Sequence, residues 1–500
     1  MMLAVQLAAL AGDSDDAGEG TAQALALLDG FDDALLHGLA RLADEHADAV
    51  AALAAAFASS PLGDRLAEAA DAVVSGSITQ EHLTALAGGR VALSGAVHDA
   101  LLGGFDAALG RERAEWPSAP GGPADGGSAT GGPASGGPAS GGPARGGSAS
   151  GDGAQPVGNV LGGVRSWLRE LAITGWRGVD HDLVSAADQI IEALLAVPAL
   201  RRLAVLLDGF AAELRACSPI GSAEHLPVRR WADLWTRALL LSHDGVLTGE
   251  PRHAATVSGR LLVLGVDVHE HGTAVQFQVH AVLEPHGGGR SRLVRTSVTV
   301  AKVDTIAGPA LWKLPQRHKV LLAALADRRG LDITDMPLLD GGDLVWHDDR
   351  ALVSKPADPF ATARLVLPGA LAPAAPPLDR VPVRIAEPVL VEGYKVTEDG
   401  SFDLGGAVIA VDTERLPDCG PLTPKLVAAS SACVGLVRWD GGRWILQPLA
   451  VQAKVKRETT MVAIGDWALG PTDPKAAKAE ARAADAVTVL RERAGRLLRR

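Results

Sequence analysis

Cysteine is scarce in this 500-residue sequence. The three present, Cys217, Cys419 and Cys433, stand far apart with no CxxC pair. That spacing argues against a disulfide framework and a thiolate zinc site, and it suits a reducing compartment. Aromatic residues are only 4% of the chain, with a single tyrosine, so any core has to be built mainly from Leu, Val and Ala. No window approaches the roughly 18 consecutive strongly apolar residues of a membrane-spanning helix. The N-terminal MMLAVQLAALAGDSDD carries a short apolar run without a basic start. A secretory signal has that start, so the expectation is a cytoplasmic chain. Also missing are a Walker A loop, a GxGxxG after a strand, a GxSxG elbow and an HExxH helix. These absences remove the easily recognised enzymes and leave others open.

What is present is organised around residues 116–157, a near-repeat of Gly-Gly-Pro-Ala-Ser with nothing apolar larger than Ala between Trp116 and Val157. Such a stretch buries too little apolar surface to offset its ordering entropy, so it reads as a disordered linker. Charge divides unevenly across it. Residues 1–115 hold 18 acidic against 5 basic side chains, and the remainder holds 41 against 42. The N-terminal part should therefore repel nucleic acid and anionic lipid, and nucleic-acid binding is not expected.

The expected fold class is α+β, multidomain. Residues 1–115 read as an acidic helical bundle: Leu28, Phe31, Leu35, Leu39, Leu42, Val50, Leu53 and Phe57 recur mostly at three and four. Pro61 should open a further helix. Ser77 to Gln80 reads as a capping box, Gly88-Gly89 as the end of the helix it starts, and 91–109 as another helix. After the linker come a helical segment at 158–225 and a first β-rich α+β domain at 226–367. A Pro/Ala-rich connection follows at 368–382, then a second β-rich block at 383–470 and a basic C-terminal helix at 471–500. Alternation of apolar and polar residues predicts strands at 259–268, 274–283 and 293–300, joined as an antiparallel meander. Asp440-Gly-Gly-Arg443 predicts a hairpin in which Trp439 and Trp444 pair.

Candidate chemistry is thin. His269, Glu270 and His271, with His280 on the next strand, form the best metal-ligand candidate. Histidines at i and i+2 of a strand share a face, and His280 could approach across the hairpin. The competing reading is a solvated turn beside Gly272. Four His-Asp pairs begin at His98, His181, His243 and His347, and each fits a polar helix face or a loop. Cys217 and Cys433 lack a base fixed by spacing and read as small core residues. Among the tryptophans, Trp231, Trp235, Trp312, Trp346, Trp439, Trp444 and Trp467 lie beyond the linker. They read as core anchors, or as a face for a protein partner.

The stretches LPVRRWADLWTRALLL at 226–241 and GRWILQPLAV at 442–451 resemble those of uncharacterised actinobacterial proteins. The genes of these proteins neighbour MoxR-type AAA ATPases, von Willebrand A proteins and SWIM zinc-finger proteins. The resemblance covers about residues 160–470, carries no catalytic motif, and transfers no functional residue. It implies an accessory role with an AAA ATPase or von Willebrand A protein as partner. The function expected is thus a non-enzymatic cytoplasmic adaptor without cofactor, its two bodies tethered so that each raises the other's effective concentration at a shared partner. The alternative is a metal-dependent hydrolase using His269, His271 and His280.

Overall fold

Helical periodicity becomes helix over most of the first half of the chain. In the computed structural model these are α1 (Ala4–Ala11), α2 (Asp15–His37), α3 (Asp44–Ala55), α4 (Gly63–Val74) and α5 (Gln80–Leu109). They continue as α6 (Ala154–Thr174), α7 (His181–Leu195), α8 (Arg201–Ala216) and α9 (Val228–Leu241). The structure describes residues 2–11, 15–40, 42, 44–117, 154–243, 255–272, 274–303, 305–455, 458–474, 477–478 and 481. Most of the expected linker and nearly all of the expected basic C-terminal helix therefore lie outside the described residues. The last four residues assigned to the linker, 154–157, open α6 instead.

Two compact units emerge, one drawn from Met1–Ala22, Ser94–Trp116 and Pro251–Arg500, the other from Gln23–Leu93 and Pro117–Glu250. This grouping differs from a division at 115/116. A helix's periodicity marks an apolar face but does not say which neighbour will cover it.

In the second of these units some of the scarce aromatics meet in one cluster. Trp176 stands edge-on to Phe210 at 5.8 Å and to Trp231 at 6.2 Å, and Trp167 meets Phe210 at 6.0 Å. The Trp235 indole donates to the Leu168 carbonyl at 2.8 Å. A buried bidentate pair joins α5 to α2: Arg90 Nε and Nη2 donate to Asp32 Oδ1 and Oδ2 at 2.6 and 2.8 Å. The cap of α5 lies two residues beyond the expected Ser77. Thr79 Oγ1 accepts from the His82 amide and His82 Nδ1 accepts from the Thr79 amide, so His82 fills the place Gln or Glu takes in a capping box. The expected stop at Gly88-Gly89 is absent, and α5 runs through to Leu109. A mid-helix glycine costs only about 1 kcal/mol. At Gly89 a Cβ would lie 2.9 Å from Leu66 Cδ2, so glycine there admits α4 against α5.

The other unit carries the sheets. Strands β1 (Ala255–Glu270), β2 (Ala274–Pro285) and β3 (Arg292–Ala301) form the antiparallel meander read from the sequence. Three further strands follow: β4 (Arg329–Leu338), β5 (Asp343–Leu344) and β6 (Ala351–Pro356), with the short helix α10 (Lys319–Ala326) before them. Because β1 pairs with β4 as well as β2, the path β1-β2-β3-β5-β4 closes on itself, and β6 adds to β4. Along β2, Val275, Phe277, Val279, Ala281 and Leu283 enter one core cluster while Val282 enters another. The period-two pattern is thus resolved into two faces.

The second sheet, beyond α11 (Pro359–Leu365), comprises β7 (Ala386–Glu392), β8 (Lys395–Val396), β9 (Phe402–Asp403), β10 (Val408–Val411), β11 (Ser430–Asp440), β12 (Arg443–Val455) and β13 (Glu458–Ala463). A short helix, α12 (Pro424–Ala428), precedes β11. Its order is β7-β11-β12-β10-β9-β8, with β13 on β12. Trp439 and Trp444 face each other across the hairpin, ring centroids 5.1 Å apart. The two β-rich blocks share one hydrophobic cluster, in which Leu436, Leu446 and Leu449 join Leu261, Val266 and Phe277. Close approach depends on Gly265, where a Cβ would lie 2.7 Å from Leu449 Cβ.

The ends of the N-terminal helices belong to this unit. Met2 is buried and its amide donates to the Leu390 carbonyl at 2.6 Å, beside β7. Beyond α5, Arg113 bridges in parallel to Ala372, and Leu371 bridges in turn to Arg292 at the start of β3.

Candidate functional site

An Asp in the middle of the apolar run LLVLGVDVHE has to be paired if it is buried, because an isolated buried charge is costly. Asp267 on β1 is buried, and its carboxylate is the centre of a polar cluster that joins β1 to β11 and β12. Gln447 Nε2 on β12 donates to Oδ1 at 2.8 Å, and Arg438 Nη2 on β11 donates to Oδ2 at 2.6 Å. Arg438 Nε donates to Gln447 Oε1 at 2.5 Å, closing a three-residue ring. His269 Nε2 lies 2.8 Å from the same Oδ2. Burial alone would push the Asp267 carboxyl up; the His269 hydrogen bond and the Arg438 charge outweigh it and hold the group well below the usual carboxylate range.

His280 sits on the same face of the meander, opposite Gly265 on β1 and Arg295 on β3. It is buried, and its Nε2 has no hydrogen-bond partner among the described residues. Burial pushes its imidazole down to about 4, opposed by the Asp267 charge and assisted by the Arg295 and Arg438 charges. At neutral pH it is uncharged.

A second polar cluster surrounds Glu387 on β7. Arg111 Nη1 donates to Glu387 Oε2 at 2.9 Å and Arg113 Nη2 reaches Oε1 at 3.2 Å. Arg113 also holds Asp106 bidentately at 2.7 and 3.0 Å and donates to the Pro373 carbonyl. Burial would raise the Glu387 carboxyl, but the Arg113 and Arg111 charges hold it below its ordinary value. These contacts fasten the segment after α5 to β7.

The structure places the three metal candidates on one hairpin without gathering them. In register His269 faces Gln276, while His280 faces Gly265 four positions away, which at strand rise is about 13 Å. His271 lies in the turn, exposed, its amide donating to the Ala274 carbonyl. A shared strand face is necessary for ligation, but hairpin register sets the separation along the strand. Among the described residues, the group whose donor atoms do converge is Asp33, His37 and His46 in the helical unit.

The other candidates disperse. His98, expected on a polar helix face, is buried with Nδ1 2.9 Å from Asp99 Oδ1. His243 Nε2 meets Thr84 Oγ1 at 2.9 Å, and His181 and His347 are exposed. Cys419 and Cys433 are buried, and burial pushes both thiols up, that of Cys419 to about 12. Sequence reading missed Asp267, Arg438 and Gln447, although each is a polar residue inside an otherwise apolar strand.

Fold and site together define an α+β protein whose closed sheet is pinned to a second sheet by buried charge. Comparison with protein-family models, curated proteins and solved structures returns no match. Among the described residues no helix is long and apolar enough to cross a membrane.

Proposed function

We propose that this chain is a non-enzymatic cytoplasmic adaptor or accessory protein that presents a sheet edge to a protein partner. The observation that carries this is β6. It stands last in the order of the closed sheet, bonded to β4, and displays Leu352 at 72% exposure, with Lys355 and Pro356 ending the strand. An edge strand offers backbone donors and acceptors to an incoming strand; Lys355 and Pro356 oppose pairing at the end of β6 and leave it to the residues around Leu352, whose outward side chain adds apolar contact area.

The resemblance at 226–241 and 442–451 supplies the partner to test: a MoxR-type AAA ATPase or a von Willebrand A protein. The full-length chain, immobilised, is exposed to each purified protein from the same genome. The expected result is saturable retention by the wild type and loss of at least about tenfold in affinity for Leu352→Asp, since replacing an apolar contact by a charge costs more than about 1.4 kcal/mol. Retention of neither protein, or equal retention by the variant, overturns the proposal.

A further inference from the structure

Asp33 and His37 stand four residues apart on α2, so their side chains lie on one helical face. His46, in the first turn of α3, meets them from the next helix. The His37 and His46 rings are stacked, centroids 4.3 Å apart and planes 16° apart. Both Nδ1 atoms approach one oxygen: His46 Nδ1 is 3.4 Å and His37 Nδ1 is 3.8 Å from Asp33 Oδ2.

These separations are long for hydrogen bonds, which cluster at about 2.7–3.2 Å. The 3.4 Å separation matches the edge of a tetrahedron around a metal ion, and the 3.8 Å one exceeds it by about 0.5 Å. Bonds of about 2.0–2.1 Å place neighbouring donors about 3.3 Å apart. One donor atom from each of the three residues lies within 4.8 Å of the others, so small side-chain rotations close the set. His37 Nδ1 also lies 3.0 Å from the Asp33 carbonyl oxygen. Ligation through Nδ1 requires the tautomer that carries its proton on Nε2, so the ring gives up this local hydrogen bond when it binds an ion.

The helix pair is held in place independently of any ligand. Gly38, with φ +88°, turns the chain out of α2, and a Cβ there would lie 2.6 Å from the Thr174 backbone. The buried Leu39 donates its amide to the Ala172 carbonyl at 2.8 Å. His46 keeps 14% of its side chain exposed and Asp33 49%, so an ion has a route in and a fourth position open to water.

We propose that Asp33, His37 and His46 form a binding site for one divalent first-row transition ion of the zinc class. Two imidazoles and a carboxylate suit borderline ions such as Zn²⁺ or Co²⁺ over Mg²⁺ or Ca²⁺, which prefer oxygen ligands. The site lies in the helical unit, whereas the histidines at 269–280 belong to the other, and the proposal is independent of the adaptor reading.

The test uses untagged full-length protein titrated with Co²⁺, whose tetrahedral complexes absorb strongly in the visible, followed by competition with Zn²⁺. One equivalent should bind with tetrahedral absorption that Zn²⁺ abolishes. His37→Ala, His46→Ala and the shape-conserving Asp33→Asn should each weaken binding by more than about tenfold, while His269→Ala/His271→Ala leaves it unchanged. Circular dichroism confirms that each variant is folded, and three separate ligand variants guard against one of them misfolding. No saturable absorption in the wild type, or wild-type affinity in the three ligand variants, overturns the proposal. Loss confined to the His269→Ala/His271→Ala variant overturns it equally.

Discussion

Replacing His280 by leucine isolates what a buried, unpartnered imidazole does to acid stability. In the folded chain the ring is enclosed between Gly265 and Arg295 of the same sheet, under the influence of Asp267, Arg438 and Glu387. Burial lowers its folded pKa from the ordinary 6.5 to about 4. The unfolded state therefore takes up a proton first as pH falls. Stability is intact above about pH 6.5 and is progressively lost down to about pH 4. Between those limits the displacement corresponds to about 3 kcal/mol. Leucine removes this dependence. It also removes the cost of a buried Nε2 without a partner, so at pH 7 the variant should be as stable as the wild type or more so. Urea unfolding at pH 7, 6, 5 and 4.5 measures both effects. The carboxylates titrate in both proteins, so the difference between the two curves reports His280. The expected result is a difference that grows in the variant's favour as pH falls. Parallel curves over pH 7 to 4.5 would refute the reasoning, because the imidazole would then be protonated as readily folded as unfolded.

Asp267→Ala should destabilise by about 3–5 kcal/mol, because it leaves the buried Arg438 guanidinium without its carboxylate. The double variant Asp267→Leu/Arg438→Met should recover most of that loss, and denaturant midpoints across the set decide it; a single variant within about 0.5 kcal/mol of wild type contradicts the pinning role. Of the three thiols, Cys217 is half-buried and Cys419 and Cys433 are buried with raised pKa values. A thiol reagent at pH 8 should therefore label one equivalent in the native protein and three after denaturation; fast labelling of all three in native conditions would contradict the burial.

Much of the local structure was legible. The alternation in 274–283 and 293–300 and the Gly-Gly turn at 441–442 identify strands because side-chain period and turn chemistry are properties of adjacent residues. Boundaries were harder. Thr79 caps α5 with His82 as its partner, a pairing outside the usual Ser/Thr…Glu/Gln pattern, and Gly88-Gly89 lies inside the helix because α4 requires closeness at Gly89. Strand β4 went unseen, since Gly330, Asp332 and Asp335 interrupt its apolar pattern. For the candidate site, the residue types were visible and their convergence was not. His269 and His280 share a face yet stand apart in register, whereas Asp33, His37 and His46 meet across a turn whose direction depends on Gly38 and the Thr174 backbone.

The amino-acid sequence by itself determined the α+β class, the scarcity of thiol and aromatic chemistry, the acidic N-terminal 115 residues, and many of the helices and strands, β4 excepted. All of these depend on composition or on spacing over a few residues. Tertiary structure alone decided that residues 94–116 join the β-bearing unit, that the first sheet closes through β1 and β4, and that Asp267 meets Arg438 and Gln447. Each of those depends on contacts between residues 70 to 280 positions apart along the chain. An apolar face or a lone buried charge announces that it needs a partner; only the packing of the whole unit selects which one it gets.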